Sequence, residues 1–166
     1  MGKNGSVYER ELKGILGGET DKLERIKWID NDLKERINKR PFLVVRAAGS
    51  HGFDIIIIRD DISIPIEIKS SKERVINFSS SSKRSQIQAE YYVELLQRTK
   101  VMPIYAFRTK SVGGDPWRIF TFDLEYTKNY RILSEIIPKL EKTKSGSYTM
   151  KWDKGLSFTS FLEYLF

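Results

Sequence analysis

Between Phe53 and Lys69 the chain carries eight isoleucines in two runs, parted only by Arg59-Asp60-Asp61. Two short isoleucine-rich runs around so brief a polar connection predict a β-hairpin. Side chains alternate along a strand, so Ile62, Ile64, Ile66 and Ile68 share one face, while Ser63, Pro65, Glu67 and Lys69 share the other. Pro65 has no amide to give a ladder, which predicts a sheet edge or a bulge there. The first run, residues 53–58, is apolar except for Asp54. A carboxylate set among isoleucines is costly unless a metal or a partner holds it.

Around this hairpin the pattern predicts one α/β domain over residues 1–166 with a mixed central sheet flanked by helices. Residues 7–16 form a helix with Tyr8, Leu12 and Ile15 as its buried stripe and Gly17-Gly18 as its stop. Ser6 and Glu9 have the spacing of a capping box at its start. Leu23, Ile26, Ile29, Leu33 and Ile37 predict a single charged helix over residues 21–39, ended by Arg40-Pro41. A strand at 42–47 precedes the hairpin, and the serine-rich stretch 70–82 reads as a mobile loop. A helix at 86–97 follows, with Ile87, Tyr91 and Leu95 in its apolar stripe, then strands at 101–107 and 117–122. The tail adds a helix near 130–140, a strand near 148–152 and an apolar helix at 157–166. Phe158, Phe161, Leu162, Leu165 and Phe166 in that last helix are assigned to the core, with a dimer contact as the alternative.

Composition narrows the chemistry. The chain has no cysteine and one histidine, His51, which excludes disulfides, zinc–thiolate centres, cysteine nucleophiles and sites of several imidazoles. His51, in a glycine-flanked loop, is read as an exposed residue and not as a general base. Carboxylate oxygen is what remains for metal binding, and it suits Mg2+, with Mn2+ as an alternative. The formal charge of +7 and a pI near 9.5 favour a polyanionic partner. No apolar run is long enough to cross a bilayer, and residues 1–11 lack the core of a signal peptide, so a cytoplasmic protein is expected.

The spacing Asp54-x12-Glu67-x-Lys69 suits the hairpin, which brings Asp54 back towards Glu67 while Lys69 projects beside Glu67. Two hard oxygen ligands and an ammonium group are what metal-assisted phosphodiester hydrolysis needs. The lysine orients or helps deprotonate the attacking water and stabilises the charge that develops at phosphorus. A lone Glu-x-Lys is common on half-exposed strands; Asp54 within the isoleucine run sets this one apart. Downstream, Lys72, Arg74, Lys83 and Arg84 form a basic strip suited to DNA phosphates, with a solvated loop as the alternative. Phe78 in that strip is read as packing beneath it, with a wedge against unstacked bases near a branch point as the alternative, and Gln86 as a candidate contact to metal-bound water or phosphate at the site.

The runs Tyr8-Glu9-Arg10-Glu11-Leu12, Val45-Arg46-Ala47-Ala48-Gly49-Ser50, Asp54-Ile55-Ile56 and Ile66-Glu67-Ile68-Lys69-Ser70 resemble the archaeal Holliday junction resolvases. These belong to the restriction-endonuclease-like nuclease superfamily. The resemblance covers about half to two-thirds of the chain, within a core of about 6–122. It implies a restriction-endonuclease-like fold, with residues 19–40 as an inserted charged helix and 126–166 as a C-terminal extension. It further implies a homodimer that binds four-way DNA junctions and makes paired, symmetric nicks with Mg2+. Asp54 and Glu67 would be metal ligands, Lys69 the catalytic lysine, and Glu9 a further acidic ligand. Arg10 and Arg46 would contact phosphate, and Ser50 would belong to a segment reaching the DNA. Phe53 stands where the superfamily usually has proline. A restriction or repair nuclease acting on linear or flapped DNA, and a non-catalytic branched-DNA-binding module, are the competing expectations.

Overall fold

The computed structural model describes residues 5–47, 52–81, 83–110, 112–126 and 128–166. Helix α1 (Gly5–Leu16) leads to two short helices, α2 (Thr20–Arg25) and α3 (Asn31–Lys39). Strands β1 (Leu43–Arg46), β2 (Ile55–Ile58) and β3 (Ser63–Ser71) form an antiparallel meander. The chain then makes β4 (Val75–Asn77), α4 (Phe78–Ser81) and the long helix α5 (Lys83–Thr99) before β5 (Ile104–Thr109) and β6 (Trp117–Phe120). The remainder holds α6 (Arg131–Ile136), β7 (Glu141–Lys142), β8 (Tyr148–Lys151), β9 (Leu156–Ser157) and α7 (Phe158–Leu165).

The main sheet has the order β1-β2-β3-β5-β6-β9, and all its pairings are antiparallel except β3 with β5. That parallel pairing requires a long crossover, which β4, α4 and α5 supply. The expected mixed α/β sheet with helices on its faces is therefore present. Alternation along β5 divides the interior in two. Ile104 and Ala106 join Leu12, Leu33, Ile64, Ile66 and Phe158 on one face, while Tyr105 and Phe107 join Phe78, Tyr92, Phe120 and Met150 on the other.

Several expectations need correction. Residues 21–39 are two helices, because Asp30 accepts the Leu33 amide at 2.8 Å and starts α3 afresh. The break lets Ile29 bury and Trp28 reach Phe158. Pro65 lies in a central strand, not an outer one. It stands one residue before β5 joins at Ile66, where β2 alone flanks β3. The stretch 70–82, taken as a loop, extends β3 to Ser71 and then builds β4, which pairs with β8 in a second sheet of order β4-β8-β7. Ile76 and Phe78 are buried there. On α5 the buried residues are Ala89, Tyr92 and Leu96, whereas Ile87 and Tyr91 are 64% and 51% exposed. The inward face of α5 is thus rotated from the one its most apolar residues suggest.

The C-terminal segment contributes to the same interior. β9 adds to the sheet beside β6, and Phe158, Phe161, Leu162 and Leu165 fill the face that α1 and α3 also cover. Core packing is therefore the role of α7. Among the described residues no helix is long and apolar enough to cross a membrane.

Phe78 tests whether the crossover is packed. Phe78→Ala should lower stability in urea unfolding by about 3–5 kcal/mol, the usual range for a buried phenylalanine. A change as small as a surface substitution would mean that this segment is not part of the core.

Candidate active site

β3 presents Glu67 and Lys69 on the face opposite Ile66, as period-two alternation requires. Glu67 is buried at 4% exposure, and its Oε1 accepts a bond from Lys69 Nζ at 2.7 Å. Asp54 sits just ahead of β2, not within it, and its Oδ2 accepts the Ile68 amide at 2.7 Å. That bond clips the Asp54 segment onto β3 between the two residues that matter. Burial, and next the Glu67 charge, push the Asp54 carboxyl up to about 6, against the opposing pull of the Ile68 amide and Lys69.

Glu9, on α1, is buried and belongs to the neighbourhood, since its charge also raises Asp54. Its Oε2 is engaged by Arg46, at 2.6 Å from NH2 and 3.1 Å from Nε. Arg46 in turn pairs in register with Ile55, the residue after Asp54. Its side chain stays 48% exposed and so can meet a ligand as well as Glu9. Among the described residues no three ligating side chains converge. The geometry is an acidic pair, Asp54 and Glu67, with the Glu9–Arg46 ion pair beside it.

The basic strip is spread over three elements. Lys72 is exposed after β3, while Arg74 pairs with Asp153 at 2.5 Å and lies over the Trp152 ring. Lys83 and Arg84 are exposed in the first turn of α5, and Arg10 is exposed on α1. Ser50 and His51 lie outside the described residues, and so does the Ser6 side chain of the expected capping box.

Gln86 does not face the acidic pair. Its Oε1 accepts the Tyr148 amide and its Nε2 bonds Glu90. Two residues that the sequence reading passed over take that place. Gln88 Oε1 accepts from Lys69 Nζ at 3.3 Å, and the Tyr92 hydroxyl lies 3.2 Å from Glu67 Oε2. Their i, i+4 spacing puts them on one face of α5, but only the folded structure brings that face to the acidic pair.

An acidic pair with an adjoining lysine on a central strand of a mixed sheet, in a strongly basic chain, is an arrangement that suits a nuclease. The family model for the archaeal Holliday junction resolvase (Hjc) matches residues 21–166, and the chain belongs to that family. The match runs through α2, α3 and the C-terminal segment, while Glu9 and Arg10 precede it. Among solved structures, the chain is similar to the Archaeoglobus fulgidus Hjc, a Holliday junction resolvase from an archaeal hyperthermophile. Identity is 19%, with a TM-score of 0.49, over 80% of this chain and 90% of that one. No curated relative matches the chain.

The raised Asp54 carboxyl has a signature in stability. Without a cation, the folded state keeps a proton that the unfolded chain loses above the ordinary value of 3.8. Stability from this group therefore falls as pH rises towards about 6, and the loss persists above it. Asp54→Asn removes that cost and keeps an oxygen for the Ile68 amide. In EDTA, the substitution should stabilise the protein by about 1–3 kcal/mol at pH 8 in urea unfolding and have little effect at pH 4. An Asp54→Asn protein no more stable than the parent at pH 8 would contradict the assigned environment.

Proposed function

We propose that this resolvase-family protein hydrolyses phosphodiesters at four-way DNA junctions with Mg2+ held by Asp54 and Glu67, Mn2+ being able to substitute. What supports the reading is the convergence of these two carboxylates with Lys69 on one face of the central strand β3. The donor set fits such an ion. Mg2+ takes hard oxygen ligands and is commonly held by one or two carboxylates, with water and substrate phosphate completing the shell. Asp54 and Glu67 crowd two negative charges in a buried place, a cost that a divalent cation relieves.

When bound, the ion supplies charge neutralisation at the scissile phosphate and makes water acidic enough to attack near neutral pH. Lys69, held against Glu67, points its ammonium group where it orients the attacking water and stabilises charge at phosphorus. Water adds in line and O3′ leaves, giving 5′-phosphate and 3′-hydroxyl ends with no covalent enzyme intermediate. Glu9 acts from the edge of the site, as a ligand through water or as the anchor of Arg46. Arg46 and Arg10 hold phosphate, as do Lys72, Arg74, Lys83 and Arg84 along the flanking duplex. Ser50 belongs to the segment reaching the DNA.

A four-way junction has approximate two-fold symmetry, and its resolution needs two matched cuts. A C2 homodimer supplies two centres related by the same operation, so paired symmetric nicks follow from assembly. Branched shape and phosphate contacts, more than base edges, set the preference. We place the protein with its substrate in the cytoplasm.

Asp54→Asn and Glu67→Gln should each slow junction cutting by more than about 100-fold with Mg2+. Junction binding should survive in both, because other residues contact the phosphates. Either variant cutting at the parent rate would mean that the centre lies elsewhere. An excess of unlabelled four-way junction should suppress cutting of the labelled junction far better than matched linear duplex does. Equal suppression would favour a nuclease of linear or flapped DNA, and binding without Mg2+-dependent nicking a silent branched-DNA module.

A further inference from the structure

α5 brings two polar side chains to the acidic pair, and their bonds close a ring. Lys69 Nζ donates to Glu67 Oε1 at 2.7 Å and to Gln88 Oε1 at 3.3 Å. Gln88 Nε2 donates to the Tyr92 oxygen at 2.9 Å. The Tyr92 hydroxyl lies 3.2 Å from Glu67 Oε2 and 2.9 Å from the Gly52 carbonyl, so its one proton serves two acceptors.

The direction of this ring follows from the donor chemistry. An ammonium group only donates, so the Gln88 carbonyl oxygen must face Lys69 and its NH2 must face Tyr92. The phenol oxygen then accepts from Gln88, and its proton is left for Glu67 or Gly52. Each oxygen of Glu67 receives one partner inside the ring and keeps a further lone pair for a ligand.

Tyr92 also reaches the other carboxylate. Its ring stacks on Phe53 at 3.9 Å between centroids and 16° between planes. Phe53 and Gly52 immediately precede Asp54. One buried side chain therefore touches Glu67 directly and grips the segment that delivers Asp54 by stacking and by a hydrogen bond.

We infer that Gln88 and Tyr92 are positioning residues of the nuclease centre: Gln88 aims Lys69, and Tyr92 fixes the separation of Glu67 and Asp54. The inference rests on the reading of Asp54, Glu67 and Lys69 given above. Neither residue touches the scissile bond. Their effect is on the geometry of groups that do, so it belongs to the rate of cutting and to cation affinity, not to the hold on DNA.

The test uses the full chain with Tyr92→Phe, which keeps the ring and its stack, and Gln88→Met, which keeps the side-chain length. Single-turnover cutting of a synthetic four-way junction is measured with Mg2+, together with junction affinity and the thermal midpoint. Mn2+ affinity of the DNA-free protein is measured by calorimetry. Both variants should lose about 10–100-fold in single-turnover rate, the usual consequence of removing an outer-shell partner. Junction affinity should stay at the parent level in both. Tyr92→Phe should also bind Mn2+ several-fold more weakly, while Gln88→Met, acting through Lys69, should leave Mn2+ affinity unchanged.

Parent-like rates in both variants overturn the inference, as does a loss of rate matched by an equal loss of junction affinity. Should Tyr92→Phe fail to fold, Gln88→Met alone decides the role of the ring. Asp54→Asn is run alongside. If it stops cutting while the two ring variants cut normally, the inference fails and the centre stands; if it cuts normally, the centre itself is wrong.

Discussion

The bond from the Ile68 amide to Asp54 Oδ2 is where backbone and chemistry meet in this molecule. Asp54 is not on a ladder, because β2 begins only at Ile55. Without a fixed partner its carboxylate would swing with the segment before it. The amide it uses belongs to the residue between Glu67 and Lys69, so the contact ties the three side chains of the candidate site together by one short link. Burial, and after it the Glu67 charge that the same link brings near, push the Asp54 carboxyl up to about 6. Such tension is usual where a site is shaped for a cation that supplies the missing charge.

Charge elsewhere is arranged so that this tension is not duplicated. Glu9 is buried like Glu67, and it is matched by Arg46 as Glu67 is by Lys69. The pairing leaves the Arg46 side chain half-exposed on the strand beside Ile55. A buried acid thus fixes a cation at the rim, where a phosphate would approach. Breaking such a pair by removing one partner is costly because the other is left uncompensated. Arg46 is therefore at once a structural partner and a candidate DNA contact.

How far the sequence disclosed this depends on the length over which a pattern persists. The isoleucine alternation in β3 has a strict period, so it set the facing of Glu67 and Lys69 correctly even though residues 64–67 are buried on both faces. Asp54 was legible for the opposite reason, as a charge that its apolar neighbours could not explain. Helix α5 was misread. Its outward side carries Ile87 and Tyr91, whereas its inward side includes Gln88 and Tyr92, whose polar atoms are satisfied by the site. A helix that lines a functional centre buries polarity, and an apolar count then points the wrong way. The serine-rich crossover escaped for lack of local signal, whereas the break at Asp30 carries one, a helix-capping aspartate that the longer apolar spacing masks. β4 exists only because β8, far along the chain, pairs with it. These are tertiary effects that no short window contains.

Pro65 carries one more consequence. It offers no N–H on the flank of β3 that β5 approaches, and the parallel ladder starts with the very next residue, Ile66 opposite Ile104. A slip of β5 by one position would turn Tyr105 and Phe107 through the sheet, out of the layer they share with Phe78 and Tyr92. The imino ring thus works as an end-stop for the zipper. It denies β5 a foothold further back, so the parallel ladder runs forward from Ile66, past Glu67 and Lys69.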